Sequence, residues 1–131
     1  MEEIQLTYHV CSPTKYRREV FDIEIGEELE KLFSQIAKEK GIRLLASGHW
    51  LDHAHFLIQI SPKDDMSIVV KYLKGISARK LFQKFPKLRN KIRSGHLWAK
   101  RYYSKLVPKH EIVDTKKYIE NQQVHHTRKT A

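Results

Sequence analysis

Residues 53–60, HAHFLIQI, alternate in character and read as a strand with two different faces. Successive side chains on a strand point to opposite sides, so His53, His55, Leu57 and Gln59 share one face. Ala54, Phe56, Ile58 and Ile60 share the other, which is a credible core face. The rest of the chain is read outward from this strand. IQLTYHVC, residues 4–11, predicts a first strand ended by Ser12-Pro13. Leu29, Leu32, Phe33, Ile36 and Ala37 fall at helical spacing between Glu27 and Lys40, and Gly41 stops that helix. IRLLASGHW predicts a second strand, joined to the histidine strand by a short turn.

SPKDD breaks the chain, and Asp65 or Ser67 can cap a second helix from about Met66 to Phe85, ended by Pro86. KLRNKIRSG reads as a basic linker and HLWAKRYYSKLV as a fourth strand. A last helix is expected over roughly 111–123, followed by a polar tail from about 124 that frays. The order β-α-β-β-α-β, with one more helix, predicts an α+β fold: a ferredoxin-like (RRM-like) sheet with an added C-terminal helix. At 131 residues the chain makes one domain, spanning 1–131. This topology hosts RNA-binding modules, metal chaperones and nucleases alike, so function must come from particular residues.

Charge narrows the choice. Lys and Arg number 25 against 15 Asp and Glu, and six of the acids fall between Glu19 and Glu30. Between Lys71 and Lys109 there is no acid at all. A one-signed field of this kind favours a polyanion over a merely solvated basic face. No stretch approaches the ~18 apolar residues of a membrane span. The N-terminus lacks a signal-peptide layout, so an intracellular, cytoplasmic protein is expected. Cys11 is the only cysteine. By count it excludes internal disulfides and any cysteine-based zinc site, leaving a metal to His and oxygen ligands.

Two imidazoles on one strand face can grip a single cation, yet a lone His-x-His also fits two polar positions on an exposed face. In KKYIENQ, Tyr118 and Gln122 lie four apart and share a helix face. Read alone, Tyr118 fits packing and Gln122 fits solvent.

Taken together, the pieces resemble a known set. DHAHFLI resembles the His-hydrophobic-His (HUH) motif, and KYIENQ resembles the nucleophile helix of the single-tyrosine HUH transposases. These are the TnpA family of small bacterial and archaeal insertion sequences, with the related REP-associated tyrosine transposases. KYRREVF, KGISARKLFQKFP and GHLWAKRYY also fit, so the resemblance runs from about Tyr8 to Gln122. It implies that Tyr118, on the C-terminal helix, is the nucleophile, and that His53, His55 and Gln122 bind a divalent metal. Two imidazoles and an oxygen without thiolate suit Mg²⁺ or Mn²⁺. The implied activity is cleavage and rejoining of single-stranded DNA at hairpin-forming element ends, through a 5′-phosphotyrosine and a free 3′-OH. A homodimer is implied, with sheets joined edge to edge.

The basic residues then read as a DNA surface: Lys15, Arg17 and Arg18 after the first strand, and Lys74, Arg79, Lys80 and Lys84 along the second helix. Tyr16, Trp98 and Tyr102 are candidates to stack on unpaired bases. Gly75 inside the second helix costs roughly 1 kcal/mol relative to Ala, which points to close approach of DNA or of a packed strand. Tyr16, Tyr102 and Tyr103 are rival nucleophiles in basic surroundings. A non-catalytic nucleic-acid-binding module and a domesticated relative that processes genomic repeats are the competing readings.

Overall fold

The structure is a computed structural model that describes residues 5–130, with side chains described over 5–121. Four strands, β1 (Leu6–Pro13), β2 (Arg43–Trp50), β3 (His53–Ile60) and β4 (Tyr103–Leu106), form one sheet in the order β2-β3-β1-β4, and every neighbouring pair is antiparallel. Helices α1 (Ile23–Lys40) and α2 (Met66–Lys84) make the two crossovers. This is the expected ferredoxin-like α+β sheet, and α4 (Ile112–Thr130) is the added C-terminal helix. Among the described residues no helix is long and apolar enough to cross a membrane.

Two apolar layers hold the fold. Ala54, Phe56, Ile58 and Ile60 of β3 pack with Val10, Phe33, Ile36, Leu73, Leu81 and Trp98 beneath α1 and α2. On the opposite face Leu57 packs with Ala46, Val107 and Ile119 beneath α4. The sheet is therefore covered on both sides, and the histidine face of β3 is roofed over part of its length.

Several boundaries differ from expectation for identifiable reasons. α1 begins at Ile23, four residues before Glu27, because the Asp22 carboxylate accepts a hydrogen bond from the Ile25 amide at 2.8 Å. Gly41 ends it in the left-handed region (φ 69°), as glycine at this position does. β1 starts at Leu6 and continues through Ser12 to Pro13. Proline is tolerated there because it is the last residue, and its carbonyl accepts from the Ala99 amide at 3.0 Å. The basic linker contains one short helical turn, α3 (Leu88–Lys91), fixed by buried Leu88 and Ile92.

The fourth strand is much shorter than residues 96–107. Only an isolated bridge from Trp98 to Thr14 precedes β4, and Leu97 and Trp98 are both buried. Lys74 of α2 also donates to the Ala99 carbonyl at 2.7 Å, tying this segment to the helix. At the other end α4 runs on to Thr130, past the expected end near 123.

Two glycines show where close approach matters. A Cβ on Gly48 of β2 would lie 2.2 Å from the Ile119 carbonyl oxygen, so α4 rests its backbone directly on the sheet there. A Cβ on Gly75 would meet nothing within 4 Å, so no packed strand explains that glycine. Opposite outcomes are expected in denaturant unfolding: Gly48→Ala should destabilise by about 1–3 kcal/mol as overpacking, and Gly75→Ala should stabilise by roughly 0.5–1 kcal/mol as a helix-interior replacement.

Candidate active site

The site grows out of the register of three strands. His55 pairs with Cys11 of β1 on one side and with Gly48 of β2 on the other, while His53 pairs with Pro13 and Trp50. Strand alternation puts His9 and Cys11 on the same face of β1. His9, Cys11, His53 and His55 thus meet on the face that α4 covers. Both strand histidines are anchored through Nδ1. His53 Nδ1–H donates to the Asp52 carboxylate at 2.7 Å, and the two rings stand 4.7 Å apart between centroids. His55 Nδ1 and His9 Nε2 are 2.8 Å apart.

His55 is 7% exposed, and its Nε2 has no hydrogen-bond partner. An N–H orphaned in that position would cost about 1–3 kcal/mol. The tautomer with the proton on Nδ1 avoids this: Nδ1–H donates to His9, and Nε2 becomes a bare lone pair suited to a metal. Burial, aided by the neighbouring His53 and His9, pushes the His55 pKa down to about 3, so the ring is neutral near pH 7. Burial also lowers His9, with Lys105 adding to the effect. A hydrogen-bond acceptor behind the other ring nitrogen, most often a carboxylate as at Asp52, is the usual way a metal-binding histidine is oriented. These residues fit a cation.

Asp52 ties this face to the loop after β1. Burial raises its pKa, but the hydrogen bonds from His53 and Arg17 outweigh burial and hold the carboxyl below its usual range. Arg17 Nε donates to Asp52 Oδ2 at 3.0 Å, and the Asp52 carbonyl accepts from both the amide and the hydroxyl of Thr14. Within this loop Tyr16 and Arg17 take φ of 59° and 54°, a left-handed conformation that is costly for residues other than glycine. Lys15, Tyr16, Arg17, Lys100, Arg101 and Tyr103 line a cleft of about 560 Å³ beside the site.

Tyr118 projects from the first turns of α4, one residue before the buried Ile119 that seats on Gly48. Its ring lies 5.9 Å from that of His55 and 6.2 Å from that of His9, and the residue is 53% exposed. It is therefore beside the histidines and open to solvent, not packing. Two of the rival tyrosines sit elsewhere. Tyr16 is exposed beneath the Lys15 ammonium, and Tyr102 stands by Lys74 and Ser67 on the α2 side. Tyr103 is exposed on β4 but, as the register partner of Cys11, shares the histidine face and lines a small cleft with His9 and Cys11. Gln122 is one helical turn beyond Tyr118, and its side chain lies outside the described residues.

The expected DNA-binding residues are not gathered in one place. Lys15 and Arg17 line the cleft beside the site. Arg18 turns its guanidinium toward the Lys91 carbonyl at 3.3 Å. Lys74, Arg79 and Lys80 are on α2, across the sheet from Tyr118. Lys74 is half-buried, which lowers its pKa, and its ammonium is bonded to Ala99. Trp98 is core, its indole N–H donating to Ser77.

Three neighbours of the histidine pair had no assigned part in the sequence reading: His9, Asp52 and Cys11. The period-two spacing of His9 and Cys11 was visible, but only register places them against His55. The count of one cysteine gave no sign of where that cysteine stands. Cys11 Sγ and ring nitrogens of His53 and His55 all lie within 4.8 Å of one another.

Residues 3–122 match the family described as Transposase IS200 like. The ISDra2 transposase TnpA of Deinococcus radiodurans is 34% identical over 118 residues, covering 90% of this chain and 84% of that one. The transposase for insertion sequence element IS200 of Salmonella typhimurium is 33% identical over 102 residues, covering 78% and 67%. A crystal structure from Deinococcus radiodurans R1, of a chain assigned as a transposase, superposes with a TM-score of 0.75 at 35% identity, over 92% of this chain and 93% of that one. A REP-associated tyrosine transposase bound to a REP hairpin shares the fold, with a TM-score of 0.61 at 14% identity over 96% and 72% of the two chains. With the family pattern running through both strand histidines and the tyrosine of α4, the chain belongs to the IS200-like transposase family.

Proposed function

We propose that this transposase cleaves and rejoins single-stranded DNA at the hairpin-forming ends of an insertion sequence, with Tyr118 as nucleophile. The observation that carries the reading is a half-exposed tyrosine whose ring stands 5.9 Å from that of a buried, neutral histidine. In the forward step the Tyr118 phenol oxygen bonds to the scissile phosphorus, and the bond from phosphorus to the 3′ oxygen breaks. The phenol gives up its proton and the departing oxygen gains one, leaving a 5′-phosphotyrosine and a free 3′-OH. One phosphodiester replaces another, so attack by a 3′-OH on the phosphotyrosine rejoins strands without ATP.

A phenol with a pKa of about 10 is a weak nucleophile at neutral pH and needs help. His53 and His55, with Gln122 as third ligand, would hold a divalent cation, Mg²⁺ or Mn²⁺. Such an ion, when bound, polarises the phosphate and offsets the charge that develops on it. The protein's own part is orientation. Asp52 and His9 fix the two rings, and α4 presents the phenol beside them.

The DNA reading is supported by the cationic cleft next to the site. Lys15 and Arg17, which line it, would take phosphates near the scissile bond, with exposed Tyr16 and Tyr103 as stacking surfaces. Arg18, Arg79 and Lys80 are assigned to more distant phosphates. Lys74 joins them, since an ammonium carries three donors and Ala99 occupies one. Hairpin-forming ends agree with the hairpin held by the REP-associated neighbour. A homodimer is supported by β4, an edge strand whose four residues are all exposed and include Leu106 at 52%.

Incubation with single-stranded element ends and Mn²⁺, followed by denaturing electrophoresis, should give a covalent protein–DNA adduct. The adduct should vanish in Tyr118→Phe and fall by at least about tenfold in His53→Ala or His55→Ala. An adduct surviving in Tyr118→Phe overturns the nucleophile, and one indifferent to EDTA overturns the metal. Light scattering should report a dimer that Leu106→Glu converts to monomer.

A further inference from the structure

Cys11 is the only thiol in the chain, and it stands beside the histidine pair. β1 places it directly across from His55, and its Sγ lies within 4.8 Å of ring nitrogens of both His53 and His55. His9, Cys11, Tyr103, Ser104 and Lys105 line a small cleft of about 170 Å³, so the thiol is reached from the β4 side. Burial raises its pKa, so without an ion it stays a protonated thiol.

An independent observation points to a ligand here. His55 is more than nine-tenths buried, its Nδ1 is engaged by His9, and its Nε2 has no partner. We propose that Cys11 is a third protein donor to the His53–His55 site, which thereby binds Zn²⁺ or a similar thiophilic ion as a His₂Cys set. This rests on the reading of the histidine pair as a metal site and adds a soft donor to it. Zinc bonds of about 2.3 Å to sulfur and 2.0–2.1 Å to nitrogen put tetrahedral ligand atoms roughly 3.3–3.6 Å apart. The three atoms, no more than 4.8 Å apart, reach that spacing by side-chain rotations of about 1 Å. Binding exchanges the thiol proton for the ion: the S–H bond breaks, a metal–thiolate bond forms, and one proton goes to solvent. Thiolate selects Zn²⁺ over Mg²⁺, which prefers oxygen, so Cys11 gives the site a zinc-binding mode distinct from the one assigned to Gln122.

Cobalt separates the possibilities, because any thiolate-to-metal band must come from Cys11. Anaerobic titration of the whole protein with Co²⁺ should give visible d–d bands, a near-ultraviolet thiolate-to-cobalt charge-transfer band, and a stoichiometry of one ion per chain. In Cys11→Ser the charge-transfer band should be lost, with d–d bands retained. Zn²⁺ affinity by chelator competition should fall roughly 10–100-fold in that variant, and Mn²⁺ affinity should not change. Histidine-dependent d–d bands without a charge-transfer band would overturn the role of Cys11 and leave the histidine site standing. No Co²⁺ binding at all would overturn both.

Discussion

The arrangement depends on one close contact, the Ile119 carbonyl of α4 resting where Gly48 has no side chain. Any other residue at 48 would hold the helix off the sheet. Gly48 is also the register partner of His55, so the point of closest approach and the buried histidine lie side by side. Ile119 then packs with Leu57, Ala46 and Val107 to form the smaller apolar layer. A helix seated this way has one residue facing the sheet and its neighbour turned along it. Ile119 takes the first position, which leaves Tyr118 at the edge, near the histidines and exposed.

Polar contacts give the site its rigidity. Each strand histidine spends its Nδ1 on a fixed partner, Asp52 for His53 and His9 for His55. The tautomers that result turn Nε2 into the free nitrogen of each ring. Asp52 also bonds Arg17 and Thr14, so the strained loop around Tyr16 is held by the same carboxylate and carbonyl that set His53. Strain of this kind persists only where neighbours over-determine it. Here it projects an exposed tyrosine and two cations into the cleft beside the histidine pair. The excess of positive charge over the chain then favours capture of a polyanion at that cleft.

Much of this was legible in the residues, and the misses have physical causes. Strand β3 declared both of its faces by alternation, and the helices declared themselves by spacing and by Gly41. Local capping was available but passed over at Asp22, so α1 began too late. The fourth strand was overextended because its β-rich composition hid the contacts with α2, through Lys74 and Ser77, that hold Trp98 and Ala99. The histidine pair and Tyr118 could be picked out through resemblance to a motif set. His9 and Cys11 could not, since their place beside the pair follows from strand register, which depends on residues far apart in sequence. Asp52 adjoins His53 in the chain, but the turn that aims its carboxylate at that ring was not read. The same limit applied to the basic residues: charge counted them correctly but did not separate the cleft of Lys15 and Arg17 from the far side, where α2 carries Arg79 and Lys80.

The central claim is that α4 delivers Tyr118, and no other tyrosine, to the scissile phosphate. Mass spectrometry of peptides from a trapped protein–DNA adduct tests it directly. The account predicts an oligonucleotide remnant on the peptide that contains Tyr118. A remnant on Tyr16, Tyr102 or Tyr103 would contradict it.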